Sequence, residues 1–193
     1  PEALAARYNP HDGLVYFLRR KSATFSADGL YRVEADNSIT KIATADRPAT
    51  IVAASATGDI FLSEDYSGRI YRIPVGSKSR MLWVSGFHAE DDDPVGMAIA
   101  PRNYRGPVIA PGDALVIDRG YKGPKEIWKF SLKSSEGESV VHRDNRTLVD
   151  PVDITIGTDG IYLVDCGAQR HCIYRIIEDG RLKPVSTSQT ISS

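Results

Sequence analysis

The chain has 193 residues, 41% hydrophobic and 25% charged, with 24 basic against 25 acidic side chains and a formal net charge of -1. That is enough for one ordinary domain, and the composition is that of a soluble globular protein rather than a disordered or fibrous one. The balanced charge gives no global field to draw nucleic acid, and no apolar run is long enough to span a bilayer.

PEALAARY at the start has neither the charged nor the apolar region of a leader, so the chain reads as a mature product, a trimmed form or a fragment. Taken in order, the sequence repeats one pattern four times. A first strand of small apolar residues follows a proline: EALAARY after Pro1, ATIVAAS after Pro48, VGMAIA after Pro94 and VDITIG after Pro151. A glycine opens a second strand: LVYFL after Gly13, DIFLS after Gly58, DALVID after Gly112 and IYLVD after Gly160.

The third strand repeats an aromatic-basic word. It reads Leu30-Tyr31-Arg32-Val33, Ile70-Tyr71-Arg72-Ile73, Ile127-Trp128-Lys129-Phe130 and Ile173-Tyr174-Arg175-Ile176. Inward apolar residues alternate with an outward basic one, the period of a half-buried strand. A more polar fourth strand begins near Ser38, Arg80, Ser139 and Leu182, as suits an outer edge that must resist pairing with other molecules.

The units run about 1–46, 47–91, 92–149 and 150–193. Four strands in ~40–50 residues is the period of a β-propeller blade, so the expected fold is all-β: four four-stranded antiparallel blades in one propeller domain or partial propeller. A sandwich or barrel is the competing architecture. Repetition of the aromatic-basic word at matching strands favours the propeller. Unit three is the longest, through the Pro/Gly-rich insertion Arg102–Pro111.

The pattern P-x-x-I-x-x-x-x-D-G-x-Y-L-V-D-x-G, from Pro151 to Gly167, resembles the NHL repeat and its relatives in the six-bladed propeller superfamily. These relatives include the gluconolactonase/SMP-30-like lactonases, strictosidine-synthase-like proteins and glucose/sorbosone dehydrogenases. Blade two, EDYSGRIYRI from Glu64, is similar to the sugar-dehydrogenase style of blade. The resemblance implies six blades where four are present. That points to part of a larger propeller, with apolar faces on blades one and four open to self-association; closure as a four-bladed propeller is the alternative.

In an up-down-up-down blade, the loops between strands two and three share a face with the loops leading into strand one. That face gathers Arg47, Glu64, Asp65, Asp92, Asp118, Arg119, Asp165 and His171 as candidate ligand-binding residues. Carboxylates from several blades would suit a Ca²⁺ ion. The Arg/Asp mixture would suit a polar ligand or a protein loop through charge-assisted hydrogen bonds. The bland alternative is turn capping, since Asp118 and Asp165 close the second strand as part of the repeat. Asp91–Asp93 reads as a mobile acidic loop, and of the four histidines only His88 and His171 fall on this face.

Resemblance to the lactonases implies an Asp-Gly metal-ligand pair just after a first-strand proline. Here Val95 and Val152 stand at that position, so Ca²⁺ lacks support from the family motif. The catalytic histidine and basic cofactor ligands of a quinone-dependent sugar dehydrogenase have no recognisable counterpart either, and no catalytic residue is assigned. The expectation is a binding module for a protein partner or small polar ligand. The alternative is a fragment of a propeller enzyme acting on sugars or lactones.

Cys166 and Cys172 bracket a hairpin loop, where a cross-strand disulfide and two free thiols are both open to them. An oxidised pair would point to an extracytoplasmic address, periplasmic or secreted.

Overall fold

In the computed structural model, residues 3–20, 27–44, 52–64, 67–87, 93–120, 125–141, 147–167 and 172–187 are described. The fold is all-β, in four antiparallel four-stranded sheets of the β-propeller kind. Blade one is β1 Ala3–Asn9, β2 Leu14–Arg20, β3 Ala27–Val33 and β4 Ile39–Thr44. Blade two is β5 Val52–Ala54, β6 Ile60–Glu64, β7 Arg69–Ile73 and β8 Met81–Ser85. Blade three is β9 Pro94–Ile99, β10 Asp113–Asp118, β11 Glu126–Ser131 and β12 Gly137–Val141. Blade four is β13 Pro151–Ile156, β14 Ile161–Asp165, β15 Cys172–Ile176 and β16 Leu182–Thr187, with a one-turn 3-10 segment at Glu178–Gly180.

Each sheet pairs its strands in chain order. The chain divides into two compact units, Pro1–Pro94 and Val95–Ser193, of two blades each. No helix among the described residues is long and apolar enough to cross a membrane.

The repeat extends to a detail of register. In every blade the pairing of the third and fourth strands slips at the aromatic residue, leaving one extra residue on the outer strand. The extra residues are Ile42, Trp83, Val140 and Val185. Such bulges sharpen the local twist and blunt an edge that would otherwise template further pairing. On β16, Pro184 blunts it again by lacking an amide donor.

Each blade has a forward face, set by alternate residues of its second and third strands, and a rear face, set by the others. In unit one, forward-facing Tyr16, Leu18 and Leu30 of blade one pack on rear-facing Ile60, Leu62 and Ile73 of blade two, with Ile42 at the margin. In unit two, Leu115, Ile117 and Ile127 of blade three pack on Ile154, Ile161, Leu163 and Ile176 of blade four, with Val140 at the margin. Leu18 lies opposite Leu30, and Ile117 opposite Ile127; all four are wholly buried. Burying each side chain of this size stabilises the fold by about 1.5–3 kcal/mol.

The insertion in blade three also fills the core. Tyr104 and Ile109 are buried in the unit-two cluster, and the Arg105 amide donates to the Thr158 carbonyl at 2.8 Å.

Two glycines answer to strict geometry. Gly58, at φ 97°, opens β6 where a Cβ would lie 2.7 Å from the His11 ring. Gly180, at φ 70°, brings the β15–β16 turn against blade three, where a Cβ would collide with the Val140 carbonyl oxygen. A left-handed conformation and a backbone collision together penalise any side chain there. Gly180→Ala should therefore cost more than about 2 kcal/mol of stability in urea unfolding, and an unchanged midpoint would contradict this close approach.

Candidate functional site

The acid that ends the second strand occupies the same place in blades two, three and four, as Glu64, Asp118 and Asp165. All three side chains are buried, and their partners explain why. Asp165 accepts the amides of Val149 at 2.8 Å, Asp150 at 3.0 Å and Gly167 at 2.8 Å. It thus fastens the loop leading into blade four to the loop that leaves β14. Asp118 accepts the Gly120 amide at 3.2 Å, the same reach to the second residue onward. Glu64 accepts from the Arg80 guanidinium at 3.0 Å and from the hydroxyls of Tyr71 at 3.3 Å and Ser67 at 3.5 Å. Its longer side chain reaches the outer strand instead of the turn.

A carboxylate oxygen engaged by buried amides has little lone-pair capacity left for a ligand. Asp165 and Asp118 thus cap the turns that follow them, whereas Glu64 is held by the outer strand and by hydroxyls.

Within unit two the candidates form a chain of contacts. Arg119 extends from the Asp118 turn to Asp150, 3.7 Å away, and the Asp150 amide is held by Asp165. Both members of that ion pair remain partly exposed, Arg119 at 34% and Asp150 at 46% of their side chains. Arg47, Asp65, Asp92 and His171 lie outside the described residues, as does His88. Asp93, read in the sequence as part of a mobile acidic loop, is buried where β9 begins.

Cys166 and Cys172 are free thiols here. Cys172 pairs across the ladder with Asp165, so Cys166 sits one residue beyond its register. Among the described residues no group of three or more His, Cys, Asp or Glu is arranged to hold a metal ion.

The other end of the blades carries a polar network that the aromatic-basic word did not disclose. The basic residue of each third strand is tied to a neighbouring turn or strand instead of standing free. Arg32 donates to Glu34 at 2.8 and 3.0 Å, Arg72 pairs with Asp59, Lys129 with Glu138, and Arg175 donates to the Asp159 carbonyl at 2.8 Å.

In blade one, the Tyr16 hydroxyl donates to Asp12 at 2.6 Å and lies 3.4 Å from an Arg32 nitrogen. Burial, and then the bond to Asp12, push the Tyr16 phenol above its ordinary value. The Arg32 guanidinium holds the Glu34 carboxyl below the usual glutamate range. A cleft of about 300 Å³ opens beside this network in unit one, lined by Tyr16, Arg32, Glu34, Thr40, Ile73 and Lys78 among others.

Blade three adds a second buried acid that sequence reading passed over. Glu126 lies directly opposite Asp118 across the ladder and accepts the Ser139 hydroxyl at 3.3 Å.

Two outcomes follow from this geometry. Asp165→Ala strands three amides, and the loss should exceed about 3 kcal/mol in denaturant unfolding, with Asp165→Asn intermediate because one acceptor oxygen survives. Loss below 1 kcal/mol in the alanine variant, within about the range of an ordinary surface change, would refute the capping role. For Tyr16 the neutral phenol is the favoured form, so its contribution is whole below the ordinary value of 10.0 and fades as pH rises through the folded value. The alkaline ultraviolet titration of wild type minus Tyr16→Phe should show a component above pH 10.0; a component below it would contradict the network.

No family model matches the chain, and no curated protein matches it. Solved propeller structures do. Virginiamycin B lyase from Staphylococcus aureus aligns at TM-score 0.68 and 14% identity, over 96% of this chain and 55% of that one. A nidogen/laminin complex aligns at TM-score 0.61 and 13% identity, over 94% of this chain and 78% of that one. TolB from Acinetobacter baumannii aligns at TM-score 0.64 and 15% identity, over 90% and 41%. The chain spans about half the length of the lyases it matches. At these identities the likeness is one of fold, to β-propellers longer than this chain.

Proposed function

We propose that the chain is an NHL-like β-propeller binding module. It recognises a protein partner or a small polar ligand on the face formed by the strand 2–3 loops and the loops leading into each blade. The observation that carries this reading is the contrast around Asp165 and Arg119. The buried acid fixes two adjacent loops through three amides, while Arg119 and Asp150 stand partly exposed on those same loops. Loops carried on a rigid scaffold are where propellers place recognition, and charge held in a fixed position recognises a partner with less ordering cost.

Arg119 supplies the directional donor for a carboxylate or phosphate-bearing partner, and Asp150 the acceptor. The capped acids set the positions of these groups without taking part themselves. The competing assignment is a propeller enzyme acting on sugars or lactones, with its reaction dependent on a metal or quinone.

Immobilised wild-type protein and Arg119→Glu test the reading together, alongside turnover assays on aldoses and aldonolactones with added Ca²⁺. The expected result is a set of retained proteins or a ligand-induced rise in melting temperature that the variant loses, with its own melting temperature unchanged and no turnover. Retention indifferent to the charge reversal, or catalytic turnover of either substrate class, would overturn it.

A further inference from the structure

The cleft of about 300 Å³ in unit one lies at the end of the blades opposite the strand 2–3 loops and takes no part in the recognition proposed there. Blade one supplies its β3–β4 hairpin to the lining, and blade two the turn between β7 and β8. The volume falls at the small end of the roughly 300–1,000 Å³ of ligand pockets. Part of the lining is apolar: Ile60 and Ile73 belong to the buried unit-one cluster, Ile42 packs against them, and all three reach the cleft.

The charged side chains of the lining are Arg32, Glu34 and Lys78. Glu34 is engaged within the wall: one of its oxygens takes Arg32 hydrogens at 2.8 and 3.0 Å, and the Thr40 hydroxyl also donates to its carboxylate. Arg32 thereby balances Glu34 and keeps one nitrogen, Nη1, lightly held. That nitrogen lies 3.4 Å from the Tyr16 hydroxyl, longer than the about 2.7–3.2 Å of a good N–H···O bond. Lys78 is exposed and forms no hydrogen bond or ion pair among the described residues. With Arg32 set against Glu34, the lining carries one uncompensated positive charge, that of Lys78.

The turn that carries this lysine is fastened on both sides of it. The Ser77 amide donates to the Pro74 carbonyl at 2.9 Å, the Ser79 amide to the Ser77 hydroxyl at 2.9 Å, and the Val75 amide to Asp59 at 3.0 Å. A backbone already in place lowers the ordering cost of binding.

We propose that this cleft binds a small monocarboxylate with an apolar body, its carboxylate on Lys78 and Arg32 Nη1 and its body against Ile42, Ile60 and Ile73. The groups with donor capacity left are cationic, so the ligand that satisfies them is an anion, held by charge-assisted hydrogen bonds. A single negative charge matches the single uncompensated positive one. A doubly charged phosphate would bring surplus charge against Glu34, and a neutral ligand of the same shape would leave the two cations without a counter-charge.

The test is nuclear magnetic resonance titration of the full chain at fixed ionic strength with hexanoate and benzoate, with hexanamide and benzamide, and with inorganic phosphate. Lys78→Gln removes the cation at an exposed position, where folding tolerates the change, and Lys133→Gln, at an exposed lysine of blade three, is the control. The expected result is a saturable shift of the Gly76, Ser77 and Lys78 amides and of the Ile42, Ile60 and Ile73 methyls with at least one carboxylate. The matching amide and phosphate should bind at least about tenfold more weakly, Lys78→Gln should weaken carboxylate binding by about tenfold, and Lys133→Gln should leave it unchanged. No saturable shift with either carboxylate overturns the proposal. So does an amide or phosphate that binds as tightly, or carboxylate binding undiminished in Lys78→Gln.

Discussion

A cross-strand apolar pair, one residue from the second strand and one from the third, is the step on which the architecture rests. Leu18 with Leu30 and Ile117 with Ile127 stand at the centre of the two blade-to-blade interfaces found within the units. A four-stranded sheet with apolar side chains on both faces must bury them against other elements, and within each unit it does so by stacking on the next sheet. The rest of the repeat serves that stacking. The aromatic of the third strand occupies the opposite face, the bulge at that aromatic sets Ile42 and Val140 at the interface margins, and the glycine before the second strand makes the tight turn. The same pair recurs in register in blade four, as Val164 with Ile173.

The polar residues divide between the two ends of the blade. At one end the second strand stops on an acid whose oxygens take amide or guanidinium hydrogens. At the other end the basic residue of the third strand ties down the neighbouring turn. Buried charge persists in a fold only when paired or well hydrogen-bonded, and these acids and bases meet that condition through their surroundings. Such residues look like a binding constellation when read as a string, and act as fasteners once folded. Their neighbours Arg119 and Asp150 stay partly exposed beside them.

Much of the fold was legible in the sequence because its signal is repeated. Glycine, apolar run, acid, then aromatic-basic word recur at matching spacing, and the strands formed where those words stand. The extra residue on each outer strand was not legible, since Ile42, Trp83, Val140 and Val185 share only bulk and nothing in the strand pattern marks a slip of register. Nor was the inward turn of Tyr104 and Ile109, which a Pro/Gly-rich insertion gave no reason to expect in a core. The site was legible as a face and illegible as chemistry. Chain order shows that Glu64, Asp118 and Asp165 are equivalent, but their hydrogen-bond partners come from loops and strands that only the fold brings near. Glu126 passed unnoticed because a glutamate opening a strand ordinarily reads as solvated, and its place opposite Asp118 is a matter of register. The repeat predicted the four-stranded antiparallel blades correctly for the same reason that it predicted little chemistry: its motifs are packing motifs.

The central claim is that the cross-strand apolar pair at the centre of each blade-to-blade interface holds the two blades of a unit together. The most direct measurement is denaturant unfolding of Leu18→Ala and Ile117→Ala beside Val75→Ala on an exposed turn. Each pair variant is predicted to lose about 2–5 kcal/mol, and the control to stay within about 0.5 kcal/mol of wild type. A pair variant that unfolds at the wild-type midpoint would contradict the claim.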